Sequence, residues 1–136
     1  MYREEERETL PLCREEKIGV IPYRPLTGER LTHDWSVSTP RADTDQIIRQ
    51  KYDATVELDK PIVARLTEVA AKRGVPRVHI ALAWLFQKEP VTAPILGATK
   101  SSHVEEAGTG LQIKLAAQEI AFMEEPYLPH KIVGHQ

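Results

Sequence analysis

Two short apolar stretches, each running straight into a turn-forming loop, constrain this chain more than any other feature. Residues 18–22 read IGVIP and residues 92–96 read TAPIL. The first leads into YRPLTG at 23–28, the second into GATKSS at 97–102. Short apolar runs bounded by turn residues read as buried strands. Two such strands cannot by themselves make a sheet that stands alone. An α/β arrangement is therefore expected, with strand neighbours that this sequence does not supply.

The segments between and after these strands read mostly as helices. Residues 3–16 join a Glu/Arg run to Leu10, Leu12 and Cys13, a charged helix that Pro11 should break or bend. Residues 27–60 are polar and weakly periodic, so a long loop is expected, with a helical piece at 45–52. Asp59 before Lys60 and Pro61 reads as the cap of a helix. Ile62, Val63, Leu66, Val69 and Ala70 form its apolar stripe, and Gly74 stops it. A second helix, from about residue 76 to 88, is apolar nearly all round and should be buried. Ser102 and Glu105 have capping-box spacing and should open a third helix. Gly108 and Gly110 weaken that helix, each by about 1 kcal/mol. A last helix over 117–125 should pack through Ile120, Ala121 and Met123, and Pro126 ends it.

Composition narrows the function classes. The net charge of 136 residues is −2 and the pI near 6.2, which argues against nucleic-acid or membrane-surface binding through bulk charge. Cys13 is the single cysteine. It excludes an internal disulfide and reads as a small buried packing residue. No apolar run approaches the ~20 residues of a membrane span, and the charged start lacks a signal-peptide pattern. A cytoplasmic location is expected. The five histidines lack metal-ligand spacing.

Three places could carry chemistry. Gly97 beyond the second strand, Lys100 in the same loop and a helix start at Ser102 together suit a phosphate. The plainer alternative is an ordinary strand-to-helix turn with a surface lysine. Tyr23 ends the first strand, where ligands bind in α/β folds, and an aromatic ring there can stack on a flat ligand. A tyrosine at the edge of the core is the alternative. Residues 69–80 have helix-turn-helix spacing, but the second helix would offer bases only Arg77 and His79 before turning apolar.

Residues 14–26 (REEKIGVIPYRPL), 80–87 (IALAWLFQ) and 93–100 (APILGATK) together resemble the carboxyl-terminal part of bacterial aldo-keto reductases. The resemblance covers nearly the whole chain, in the order and spacing of that family. It implies that residues 1–136 are a partial aldo-keto reductase domain: the carboxyl-terminal portion of a (β/α)8 barrel, with strands 7 and 8 and their surrounding helices. It further implies reduction of aldehydes and ketones with NADP(H). By the same resemblance Tyr23 stacks on the nicotinamide, and Pro25, Leu26, Gly28 and Arg30 wrap the pyrophosphate. Gly97, Ala98, Thr99 and Lys100 hold the adenosine ribose and its 2′-phosphate. His103 and Glu106 lie on the adenine side.

Several positions depart from the family pattern. Arg24 stands where a serine is usual, and the glycine of that loop comes one place early. Ala107 replaces an asparagine, and Ala116 replaces the threonine or serine that caps the last helix. The family's catalytic Asp, Tyr, Lys and His belong to earlier strands, so no catalytic residue is assigned in this sequence. An oxidoreductase unit that grips the cofactor but is inactive alone is expected. A small carbonyl substrate would bind only if the rest of a barrel is supplied. The competing expectations are a non-enzymatic interaction module, self-associating through exposed strand edges, and a fragment without function.

Overall fold

The computed structural model describes residues 1–28, 30–33, 35 and 53–131. Among these, five α-helices follow in order: α1 (Thr9–Glu15), α2 (Val56–Arg73), α3 (Arg77–Phe86), α4 (Ser101–Gln112) and α5 (Ala117–Glu124), with 3-10 turns at Glu4–Glu6 and Asp53–Thr55. The helical piece expected at 45–52 lies outside the described residues. No helix among them is long and apolar enough to cross a membrane.

The expected helix over 3–16 divides into a 3-10 turn and α1. Pro11 is the third residue of α1. In the first turn its missing N–H removes no intrahelical bond, so the proline starts the helix rather than breaking it. Cys13 is half-exposed, not buried, because α1 has no buried residue at all.

Helix α2 begins at Val56, three residues before the expected cap. Asp59 instead lies inside the helix and is fully buried. A buried carboxylate needs partners, and Asp59 has three. The Thr55 hydroxyl donates to Oδ2 at 3.0 Å. The Met1 amino group pairs with Oδ1, and His130 Nε2 lies 3.3 Å from the same oxygen. Burial, then the nearby amino group, pushes the His130 imidazole below its usual pKa. Long-range pairing thus claims a residue whose local sequence reads as a cap.

The far end of α2 follows the sequence. Gly74 takes a left-handed conformation at φ 65°. Its N–H bonds the Ala71 carbonyl, and that of Val75 bonds the Ala70 carbonyl, each at 3.1 Å. This is the paired closure that satisfies the last carbonyls of a helix. Val63, Leu66, Val69 and Ala70 of the stripe are buried.

Ile80, Ala81, Leu82 and Ala83 put α3 at the centre of the molecule. Leu66, Val69, Ala70, Leu115 and Met123 join the same core. Helix α3 packs most extensively on α4. Gly110 permits that approach, since a Cβ there would lie 3.1 Å from the Leu82 Cβ. Helix α4 starts at Ser101 with Lys100 before it, and no side-chain cap bond forms. The expected Ser102–Glu105 box is therefore absent. Half of such a box forms at α5 instead, where the Ala116 N–H donates to the Glu119 carboxylate at 2.7 Å. Alanine has no side-chain acceptor for the other half. In α5, Met123 is buried and Ile120 and Phe122 pack beside it, whereas Ala121 is exposed.

The two stretches expected as strands form no regular strand among the described residues; two isolated parallel bridges join them instead. Val20 bridges Val91, and Tyr23 bridges Ile95. The Val20 N–H donates to Pro90 O at 3.0 Å, the Thr92 N–H to Val20 O at 2.8 Å, and the Ile95 N–H to Pro22 O at 2.7 Å. They were expected to be buried and are not: Ile18, Ile21 and Ile95 are 54%, 61% and 54% exposed. Among the described residues the two stretches bridge each other, and these side chains stay open to solvent.

Candidate functional site

The two bridges bring the loops that leave them into one place. A hollow of about 580 Å³ opens between them. Tyr23, Pro25, Leu26 and Gly28 line it from the first loop, and Gly97, Thr99 and Lys100 from the second. His103 and Glu106 border it from α4. Nine of the residues singled out from sequence therefore surround one cavity. Ala98 and Arg30 do not line it. Arg30 pairs with Asp53, its guanidinium lies 5.5 Å from the Trp35 ring centre, and its carbonyl accepts the Trp35 indole N–H at 2.7 Å.

The first loop is tightly wound. Arg24 and Thr27 both take φ 54° and Gly28 takes φ 62°. A positive φ is uncommon for residues with a Cβ, and such strain collects at ligand clamps. The Thr27 N–H closes the turn on the Arg24 carbonyl at 3.0 Å. The buried Thr27 hydroxyl donates to Met1 Sδ at 3.5 Å, tying the loop to the body of the protein. Tyr23 itself is 60% exposed and lines the cavity.

The second loop is open. A Cβ built on Gly97 would meet nothing within 4 Å. Packing within the protein does not demand glycine there, and its backbone is accessible to a ligand. Lys100 immediately precedes α4, so a cation and a helix N-terminus adjoin the same hollow.

The electrostatics are local. Arg24, Arg77 and Lys100 supply three cations to the described lining and Glu106 one carboxylate. The described lining thus carries a net +2, while the whole chain carries −2. A concave positive site on an acidic protein attracts anions.

Arg77, Pro76 and Val78 also line the hollow, as do Thr32 and His33. Sequence reading missed them. Residues 76–78 border it because α3 packs against α4, a contact no local pattern announces.

A model of the aldo/keto reductase family matches residues 1–127. The chain belongs to the aldo/keto reductase family. Its relatives include versiconal hemiacetal acetate reductase of Aspergillus parasiticus, 36% identical over 96% of this chain and 38% of that protein. An aldo-keto reductase of Fusarium vanettenii is 38% identical over 99% of this chain and 36% of its own length. One from Metarhizium robertsii is 35% identical over 99% and 36% respectively. This aldo/keto reductase chain thus spans less than two fifths of the length of these fungal relatives. Whole members of the family fold as (β/α)8 barrels and generally use a nicotinamide cofactor with carbonyl substrates. The residues of the hollow fit such a cofactor: an exposed aromatic ring, an accessible glycine loop and an excess of positive charge among the described residues.

Proposed function

We propose that this chain is the NADP(H)-gripping, carboxyl-terminal part of an aldo-keto reductase, holding strands 7 and 8 of its barrel. The observation that carries the reading is the convergence of the two loops on one positively charged hollow. Tyr23 would stack on the nicotinamide. Pro25, Leu26 and Gly28 would follow the pyrophosphate, with Arg30 bracing that loop through Asp53 and Trp35 rather than reaching the ligand. Gly97 and Thr99 would present backbone to the ribose, with Ala98 spacing them rather than lining the hollow, and Lys100 would meet the 2′-phosphate. His103 and Glu106 would flank the adenine.

The bound cofactor would supply a hydride to a carbonyl carbon. The carbonyl oxygen must then receive a proton, and a missing general acid lowers the rate by roughly 10²–10⁴. The resemblance assigns that acid to strands outside this sequence, so the chain alone is expected to bind cofactor without turning over aldehyde.

Fluorescence titration of the purified chain with NADPH, beside an aldehyde turnover assay, tests both halves. Saturable NADPH binding with no turnover supports the reading. Absence of binding overturns the cofactor role, and clear turnover overturns the inactivity.

Self-association is the second reading, favoured by the exposure of Ile18, Ile21 and Ile95 along the two bridged stretches. Strand edges with apolar side chains invite pairing with another chain. Light scattering distinguishes it: a monomer at high concentration removes this reading.

A further inference from the structure

The fold separates the two residues that a recognition helix would have offered to bases. His79 is buried against α4. Arg77, two positions earlier, opens α3 and lines the hollow. Its Nη1 donates to the Thr67 hydroxyl at 3.4 Å, a long bond to a neutral group. A guanidinium carries five N–H donors in a planar fork, and one such bond uses little of that capacity.

We propose that Arg77 is a second cationic contact for the phosphorylated adenosine half of the dinucleotide, and that with Lys100 it sets the preference for NADPH over NADH. The proposal rests on the cofactor reading given above. Arg77 and Lys100 reach the hollow from different elements, the start of α3 and the residue before α4. A phosphate gripped from two elements is oriented as well as attracted. The guanidinium fork matches two phosphate oxygens at once, which an ammonium cannot do. Arg24 enters from the other loop, next to Tyr23, and belongs to the nicotinamide side. The purely structural alternative makes Arg77 a tie between α3 and α2 through Thr67.

Titration of the full chain with NADPH and separately with NADH, followed by reduced-nicotinamide fluorescence, decides between them. Arg77→Gln is expected to weaken NADPH about tenfold, the loss of one charged hydrogen bond, and to weaken NADH much less. Arg77→Lys should restore part of the preference. Thr67→Val, which removes the tie and leaves the charge, should keep the wild-type ratio. If Arg77→Gln keeps that ratio while Lys100→Gln lowers it, the role of Arg77 is overturned and the cofactor reading stands. If the wild type binds neither dinucleotide, both are overturned. Should circular dichroism show Arg77→Gln unfolded, Arg77→Lys decides: a ratio equal to wild type counts against the proposal.

Discussion

Gly110 of α4 faces Leu82 of α3 so closely that an added Cβ would lie 3.1 Å from the leucine Cβ and 3.5 Å from the His79 carbonyl. Both obstacles are fixed to the α3 backbone, so only a shift of the helix could relieve them. Overpacking of this kind costs ~1–3 kcal/mol, against about 1 kcal/mol of helix propensity gained. Gly110→Ala is therefore expected to lower the urea midpoint. Gly108 has nothing within 4 Å of a built Cβ, and Gly108→Ala should raise the midpoint by ~0.5–1 kcal/mol of stability. Equal effects of the two substitutions would refute this view of the α3–α4 contact.

Acid should loosen the join between α2 and α5. Arg73 Nε and Nη2 hold the Glu119 carboxylate at 2.6 and 2.5 Å, and this bond with Arg73, helped by the Ala116 N–H, lowers the Glu119 pKa to about 2. The folded-state pKa lies below the unfolded one. The stabilisation is thus complete above the ordinary glutamate range and is lost as pH falls toward about 2. The pair is partly exposed, so screening limits its worth to about 1 kcal/mol. Thermal melts between pH 6 and 2 should show a steeper loss for wild type than for Glu119→Gln.

Asp59 is fully buried inside α2. Leaving a buried polar group without its hydrogen-bond partner costs ~1–3 kcal/mol. Asp59→Ala strips the Thr55 hydroxyl of its acceptor and empties a fully buried position, and its urea midpoint should drop accordingly. A loss under about 1 kcal/mol would mean that the carboxylate roughly balances its own desolvation cost.

Tyr23 should behave in the opposite way. Its side chain is 60% exposed, so Tyr23→Ala is expected to change the melting temperature little, within the ±0.5 kcal/mol usual at surfaces. Loss of a stacking surface should nevertheless weaken NADPH by about tenfold. A fall in stability with unchanged binding would assign Tyr23 to packing instead.

Local patterns in the sequence revealed the α2 stripe, the Gly74 stop and the buried α3, because periodicity and a left-handed glycine act within a few residues. They misled at Asp59 and Ser102, where the cap signal was real in type but longer-range contacts or a one-residue shift in start overrode it. Gly110 read as a weakness of α4, since spacing says nothing of a helix packed across it. The two apolar runs read as buried strands, yet the structure leaves them exposed and joined by isolated bridges, because burial depends on what else lies against them. Nine of the eleven site residues surround the hollow. Motif reading offered Arg77 only to a helix-turn-helix and not to this hollow, because it reaches the cavity through helix packing.

The paired bridges fix the jaw width of the hollow. Val20–Val91 and Tyr23–Ile95 set the roots of the two loops one sheet repeat apart, about 4.8 Å, by backbone bonds that no side-chain replacement alters. Substitutions at Arg24, Thr99 or Lys100 can therefore retune which anion is gripped while the gauge of the clamp stays constant, and insertions before either bridge would be the changes that spoil it.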